Sequence, residues 1–233
     1  ESVWKYKTEW EQMSERVGYW ADMEHPYITY EDNYIESEWW SLKKIYEKGL
    51  LYKGHKIVPY CPRCGTALSS HEGSQGYKEV TERSAVVRFK VVGEENTYIY
   101  AWTTTPWTIP SDQAVSLKPG AAYVAVEHDG RAEVMLEDLA PKCCEEFGWE
   151  YTPVMIDGKP YVVPAETFHH IHYKQPIFDG VEGVALLADY VGVDDGTGIV
   201  HNSPGHGVDD YFACLKEGIT DICMPVDDDG KFY

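Results

Sequence analysis

The sequence predicts an α+β fold, a β-barrel-like domain with peripheral helices, preceded by a helical and zinc-ribbon-like appendage at the N-terminus. Short runs of alternating apolar and polar residues follow residue 80 and are separated by Gly-rich turns, which indicates a closed or nearly closed sheet. Helical periodicity dominates the first 50 residues. A Cys-x-x-Cys segment lies between the two regions. We therefore predict connective helices and a CxxC ribbon over residues 1–80, and the barrel domain over residues 81–233.

The first region contains the clearest helix prediction of the chain, over residues 31–49. Asn33 as N-cap and Glu36 three residues later form a capping-box pattern, and Gly49 is typical of a helix end. A shorter helix is predicted over residues 7–16. Four apolar residues at helical spacing predict one buried stripe on the longer helix: Ile35, Trp39, Leu42 and Tyr46. We expect the many tryptophans of this region to pack, partly against domains outside the chain.

The second region reads as strands joined by tight turns. Ala85 to Val91 alternates, a turn occupies Gly93 to Asn96, and Thr97 to Thr103 returns. Two further strands flank Asp129-Gly130, a hairpin signal. Other strands are predicted near residues 161–163, 184–190, 196–201 and 222–226, with helices over 137–147 and from about 208.

Composition bounds the classes of function. The formal net charge of −19 argues against a protein that grips nucleic acid by itself, because phosphate binding needs clustered Lys and Arg. No apolar run is long enough to cross a bilayer, so we expect no membrane partner. The six cysteines, of which only two have a recognisable spacing, predict a reduced cytoplasmic protein. The chain has no starting methionine, which suggests a piece of something larger.

Cys61 and Cys64 form a CxxC knuckle. This spacing lets two thiolates share one zinc ion, whereas a structural zinc site has four ligands. His55 and His71 are near enough in sequence to complete a site, although the strict geometry of zinc sites disfavours this completion. Two free thiols in a loop is the other interpretation.

The segment WTTTPWTIP, residues 102–110, is the most informative stretch. Thr103, Thr104 and Thr105 place three hydroxyls at one strand end, where a proline stops the strand. Such a cluster suits a small polar ligand with a carbonyl, an amine and ribose hydroxyls. An ordinary edge strand is the simpler interpretation of a bare threonine triplet.

The segment GTGIVHNSPGHGVDDY, residues 196–211, carries the other polar candidates. His201 ends an apolar strand, and either a core histidine or a pocket residue fits that position. Asp209 and Asp210 fall at the start of a predicted helix, where a carboxylate usually caps free amides. His206, in the loop, is a weaker candidate.

These two segments, together with GLLYKGHKIVPYCPRCGTALSSHE over residues 49–72, resemble the editing (CP1 insertion) domain of the isoleucyl-tRNA synthetase family, in the family's order. Valyl and leucyl relatives share the architecture, and a catalytically silent tRNA-positioning module is the alternative of a different class. The resemblance implies hydrolysis of mischarged Val-tRNA(Ile) by residues 81–233. It implies as partners the tRNA(Ile) 3′ end and the rest of the synthetase. No HIGH-type or KMSKS-type signature is present, so we expect no synthetic, ATP-using site in this chain.

The resemblance also implies roles for residues. Asp210 holds the ammonium group of the ester, His201 bounds the side-chain space, and Thr104 acts with them in catalysis. Thr103 and Thr105 bind substrate with them. Asp112 stands where many members carry asparagine, and we expect it among the substrate-binding residues. Cys61 and Cys64 would be half of a zinc site whose partner cysteines follow later in the full-length protein, and editing itself would need no cofactor. We expect an ordered water to attack the ester directly, because no GxSxG elbow or Cys/His order is present.

Overall fold

A computed structural model describes residues 2–233, and the described residues divide into two compact units, the first ending at His55 and the second comprising Lys56–Tyr233. The CxxC segment therefore shares a compact unit with the strands that follow it. The boundary predicted at residue 80, between the connective region and the editing domain, stays a prediction. No helix within the described residues has the length and apolar character of a membrane span.

The first unit is helical. After a short 3-10 helix, Ser2–Trp4, it contains α1, Lys7–Arg16, and α2, Asp32–Glu47, so both predicted helices are confirmed. The predicted capping box is wrong: Glu31 is the N-cap of α2, without a side-chain cap, and Asn33 instead accepts a hydrogen bond from the amide of Tyr34. Gly49 follows the helix with a φ of 70°, as a C-terminal glycine should.

The predicted buried stripe of α2 is also wrong within the described chain. Its four residues are exposed, at 37% for Ile35, 68% for Trp39, 37% for Leu42 and 68% for Tyr46. Trp20 is 92% exposed. The helical period correctly predicted α2, but the apolar face that it defines is exposed.

The second unit opens with a small hairpin of β1, Tyr60–Cys61, and β2, Thr66–Ala67, followed by α3, Ser70–Gln75. Helix α3 was not predicted, although Ser69 and Glu72 form its capping box. The strands of the barrel region then follow, with the bounds β3, Ala85–Val91; β4, Thr97–Thr103; β5, Ala114–Leu117; β6, Ala122–His128; and β7, Arg131–Leu136.

Helix α4, Ala140–Phe147, separates these strands from a second group. That group comprises β8, Met155–Ile156; β9, Lys159–Pro160; β10, Val162–Pro164; β11, His172–Lys174; β12, Glu182–Leu187; and β13, Ile199–Asn202. Helix α5, Val208–Lys216, comes last. The strand predicted at 222–226 is wrong, since only a bridge between Val226 and Phe232 forms there.

Six strands close into a barrel. Their order is β3-β4-β13-β5-β12-β11, and β11 pairs again with β3. Strand β4 is shared: its first half, from Thr97 to Ile99, pairs with β7, whereas Trp102 near its end pairs with Val200 of β13. The predicted α+β class with a barrel and peripheral helices is therefore confirmed.

The barrel core is apolar. Phe89, Ile99, Leu117 and Tyr173 are 0% exposed, and burying each such side chain stabilises the fold by about 1.5–3 kcal/mol. Because β4 and β13 are neighbours, the threonine-rich segment after β4 and the loop after β13 emerge side by side. This adjacency brings together two segments that lie about a hundred residues apart in the chain.

Candidate active site

The threonine-rich segment turns sharply at the end of β4. Thr103 is the last strand residue and is 5% exposed. Its hydroxyl accepts a hydrogen bond from the amide of Thr105 at 3.0 Å, which folds the chain back before Pro106 opens a 3-10 helix, Pro106–Ser111. Thr104 is exposed at the tip of this turn. The three threonines are therefore brought together as predicted, with Thr104 the one most open to solvent.

A chain of hydroxyls leads from this turn into the protein. Thr103 Oγ1 lies 3.4 Å from Thr105 Oγ1, which lies 3.3 Å from Thr108 Oγ1. Thr108 is buried; its hydroxyl donates to the carbonyl of Thr105 at 2.7 Å and lies 2.8 Å from Nε2 of His201. His201 of β13 thus joins the threonine cluster, as predicted.

His201 rests on a buried carboxylate. Its Nδ1 lies 3.1 Å from Asp112 Oδ1, and the other oxygen of Asp112 accepts a hydrogen bond from the Tyr173 hydroxyl at 2.5 Å. Burial raises the pKa of Asp112 to about 6, although the hydrogen bond and charge of His201 and the bond from Tyr173 oppose this shift. The Tyr173 hydroxyl, itself buried, has its pKa raised well above its usual range by burial and by this carboxylate.

Asp112 is buried beside His201, and its predicted role in substrate binding stays a prediction. Asp112 is 4% exposed, and both of its oxygens are engaged by His201 and Tyr173. In this position Asp112 can orient His201. Because the one proton of the Thr108 hydroxyl goes to the Thr105 carbonyl, Nε2 of His201 donates to Thr108 Oγ1, and Nδ1 accepts from Asp112 when that carboxyl is protonated.

Asp210 lies in the first turn of α5, and its carboxylate is held by two donors. Asn202 Nδ2 donates to Oδ1 at 3.1 Å, and the Ser203 amide donates to Oδ2 at 2.9 Å. Gly207, the N-cap of α5, leaves the space that this carboxylate occupies, because a Cβ on Gly207 would lie 2.8 Å from Asp210 Cγ. Asp209 is exposed and forms no cap, so its predicted capping role is wrong.

Three serine hydrogen bonds join Asp210 to the threonine segment. The Ser203 amide donates to Asp210, the Ser203 hydroxyl lies 2.7 Å from the Ser111 hydroxyl, and Ser111 donates to the carbonyl of Thr108 at 2.9 Å. Ser111 and Ser203 are 0% and 1% exposed. The two predicted halves of the site therefore form one polar network at one end of the barrel.

His206 takes part at the edge of this network. Its Nδ1 lies 2.9 Å from the Ser203 hydroxyl and 3.2 Å from the Ser111 hydroxyl. Burial first, and then the nearby His201, lower the pKa of His206. His206 is therefore biased towards the neutral imidazole, which can exchange a proton with a hydroxyl or a water.

Sequence reasoning missed four members of the network: Thr108, Ser111, Asn202 and Ser203. Thr108, Asn202 and Ser203 lie inside the two segments that the sequence singles out, and Ser111 directly follows the first of them. All four are small polar residues. Their position and polarity could therefore have identified them from the sequence. Tyr173 could not have been identified in this way, because it is 61 residues from Asp112 in the sequence.

Cys61 and Cys64 lie in the β1–β2 hairpin, where the Gly65 amide bonds to the carbonyl of Cys61 at 2.9 Å. Hydrogen bonds from the Cys64 amide and thiol lower the pKa of Cys61, while the bond to Cys61 raises the pKa of Cys64. The adjacent thiols, one biased to thiolate, fit two corners of a tetrahedral zinc site. Within the described residues no group of three close potential ligands includes them.

Comparison with known proteins agrees with this architecture. The family model of tRNA synthetases class I (I, L, M and V) matches residues 1–186. An isoleucine–tRNA ligase of Clostridium novyi is 49% identical over 232 residues, covering 100% of this chain and 22% of that protein. One of Thermus thermophilus is 42% identical over 243 residues, covering 99% of this chain and 22% of that protein.

A solved structure shares the fold. The crystal structure of GlLeuRS-CP1 superposes with a TM-score of 0.50 at 14% identity, over 62% of this chain and 71% of that one. The chain thus spans about a fifth of the length of its curated relatives, at 22%. The resemblance to the isoleucyl branch is confirmed, and the chain belongs to the class I tRNA synthetases (I, L, M and V).

Proposed function

We propose that this chain hydrolyses the ester bond of mischarged Val-tRNA(Ile), as the editing part of an isoleucyl enzyme. One observation carries the proposal: a fixed carboxylate, Asp210, and a hydroxyl-rich turn, Thr103 to Thr105, belong to one hydrogen-bonded network at the same end of the barrel. The identity to isoleucine–tRNA ligases over the whole chain supports the isoleucyl assignment over a valyl or leucyl one.

Editing is needed because binding alone discriminates poorly between isoleucine and valine. Isoleucine and valine differ by one methylene, worth only about 1–3 kcal/mol in a hydrophobic pocket, and isoleucyl synthetases are themselves the standard example of that limit. A second site that admits the smaller side chain and hydrolyses its ester raises the overall fidelity. The 3′ end of tRNA(Ile) and the remainder of the synthetase are the proposed partners.

Asp210 is the proposed anchor of the substrate. An aminoacyl ester carries a free ammonium group, and a carboxylate already held by Asn202 and the Ser203 amide can receive it without rearranging. Because two donors fix both oxygens, the ammonium position is defined. That position then sets where the ester carbonyl lies relative to the threonines.

The threonine turn is the proposed ester-binding wall. The exposed hydroxyl of Thr104 is free to approach the ester and the terminal ribose, whereas Thr103 and Thr105 are held by each other and by Thr108. Such preorganised donors stabilise the negative charge that develops on the carbonyl oxygen. Positioning supplies much of the rate, because an aminoacyl ester is already activated.

His201 is the proposed size gate, and the attacking group is a water. Its imidazole is fixed on both sides, by Asp112 and by Thr108, and so presents a rigid face to the side-chain space. No residue of the network is proposed as a covalent nucleophile. Zinc at Cys61 and Cys64 is not part of the hydrolysis.

The test compares two neighbouring aspartates. We expect Asp210→Asn to slow deacylation of Val-tRNA(Ile) by roughly 30- to 1,000-fold, since losing one partner of a hydrogen-bonded charge pair costs about 2–4 kcal/mol. Asp209→Asn, on the same exposed helix start, should hydrolyse normally. Equal rates for the two variants would exclude the anchoring role. A wild-type rate no faster than that in buffer would favour a tRNA-positioning module.

A further inference from the structure

A second cluster of metal-binding groups lies outside the network described above. His169 and His170 follow the 3-10 helix Ala165–Phe168, and Glu217 lies just after the last turn of α5. Glu217 Oε2 lies 2.9 Å from His170 Nε2 and 3.5 Å from His169 Nε2. The three ligand atoms all lie within 4.8 Å of one another.

The backbone is arranged to bring the two imidazoles together. His170 has a φ of 65°, in the left-handed region that a residue with a side chain seldom adopts. The two rings lie side by side, with centroids 3.8 Å apart. Strained conformations of this kind persist where the surroundings enforce them and are concentrated at functional sites. Here the strain directs two successive side chains to the same carboxylate.

One of these nitrogens lacks a hydrogen-bond partner. His169 Nε2 is buried and finds none among the described residues, although it faces Glu217. Buried polar atoms in folded proteins nearly always have a partner. A metal ion bound between the imidazoles and the carboxylate would provide it.

The spacing matches a tetrahedral ion. Zinc binds histidine nitrogen at about 2.0–2.1 Å and carboxylate oxygen at about 2.0–2.2 Å, so neighbouring ligand atoms around it lie roughly 3.3–3.5 Å apart. The two separations from Glu217 Oε2, 2.9 and 3.5 Å, lie near that value, and the two histidine nitrogens lie within 4.8 Å of each other. Two histidines and a glutamate leave a fourth position for water.

We propose that His169, His170 and Glu217 form a binding site for a divalent transition metal of the zinc type. Imidazole with carboxylate selects Zn²⁺, Co²⁺ or Ni²⁺ over Mg²⁺ or Ca²⁺. The ion would link the end of α5 to the segment before β11. Because the first turn of α5 carries Asp210, the metal would brace the helix that holds this carboxylate.

Metal binding is measured on the whole chain carrying Cys61→Ser and Cys64→Ser, so that the thiols do not compete. Titration with zinc chloride alone should show one equivalent bound, and Co²⁺ should give the visible absorption of tetrahedral coordination. We expect binding to weaken by at least roughly 10- to 100-fold in Glu217→Gln or His169→Gln, because that range is typical for losing a partner of a ligand and these variants lose a ligand itself. Affinity should also fall as the pH drops below the range in which histidine is neutral.

The matched control is His172→Gln. His172 is the next histidine along the chain and also faces a glutamate, Glu182, at 3.7 Å. Zinc affinity should be unchanged in this variant. Zinc should slow the exchange of the α5 amide hydrogens with solvent in the parent chain, but not in Glu217→Gln. Absence of stoichiometric binding, or binding that Glu217→Gln and His169→Gln leave intact, would overturn the proposal. Glu217→Gln keeps the shape of a partly exposed side chain, so its fold can be verified by circular dichroism.

Discussion

Replacing Asp112 by asparagine should stabilise the barrel at neutral and alkaline pH. The carboxylate is 4% exposed, and burial raises its pKa from 3.8 to about 6. Asparagine has the same shape and can bond both to the Tyr173 hydroxyl and to Nδ1 of His201. The substitution therefore removes a buried charge and retains its two hydrogen bonds.

The size of the effect follows from proton linkage. The raised pKa means that the folded state binds the proton more tightly than the unfolded state, so stability contributed by this group is lost as pH rises from about 3.8 to about 6. A shift of about two units corresponds to roughly 3 kcal/mol. Asparagine gives up hydrogen bonds to a charged acceptor, so we expect a net gain of about 1–3 kcal/mol above pH 6.

The assay is urea unfolding of the whole chain, followed by the sheet signal in circular dichroism, at pH 8 and again near pH 4. The gain from Asp112→Asn should be full at pH 8 and nearly absent near pH 4, where the native carboxyl is already protonated. Asp129→Asn is the control, because that side chain is 73% exposed in a turn, and it should change stability by less than about 0.5 kcal/mol. A loss of stability at pH 8, or a gain independent of pH, would refute the reasoning.

Three further perturbations address the network. His201→Ala should let Ile-tRNA(Ile) be hydrolysed roughly tenfold faster or more in a deacylation assay, since the methylene that His201 excludes is worth about 1–3 kcal/mol. Gly207→Ala should slow Val-tRNA(Ile) hydrolysis by roughly 10- to 100-fold, because the new Cβ would lie 2.8 Å from Cγ and from Oδ2 of Asp210. Tyr173→Phe should lower the free energy of unfolding by about 1–3 kcal/mol in urea, since Asp112 loses a buried donor.

Controls for these variants are available in the same chain. Gly192→Ala places a methyl group where nothing lies within 4 Å, so its hydrolysis rate should match that of the unaltered chain. Continued rejection of isoleucine by His201→Ala would refute the size gate. In the Asp112→Asn background, Tyr173→Phe should cost less than in the parent, because a neutral acceptor is lost instead of a charged one. An equal loss of unfolding free energy in both backgrounds would contradict the pairing of Tyr173 with Asp112.

The hairpins could be predicted from the sequence because their signals are local. β3 and β4 have the predicted bounds, since alternation and a turn at Gly93 to Asn96 suffice to define them. β5 was missed because all four of its residues are buried, which leaves no alternation to detect. The apolar period of α2 correctly predicted a helix, but the buried face that it also predicted is exposed among the described residues.

In the candidate site, too, some residues could be predicted from the sequence and their contacts could not. Thr103, His201 and Asp210 could be proposed because they lie in two distinctive segments. Their connection through Ser111 and Ser203 could not, because it depends on β4 and β13 being neighbours in the barrel. The burial of Asp112 also escaped prediction, since a charged residue in a connecting segment ordinarily faces solvent.

The central claim is that Asp210 and the threonine turn bound one substrate site. A crystal structure of the chain soaked with a non-hydrolysable valyl-adenosine analogue tests it most directly. We predict the ammonium group within hydrogen-bond distance of the Asp210 carboxylate and the ester-mimicking group against Thr104. An analogue bound elsewhere, or bound at the threonines with its ammonium group directed away from Asp210, would contradict the claim.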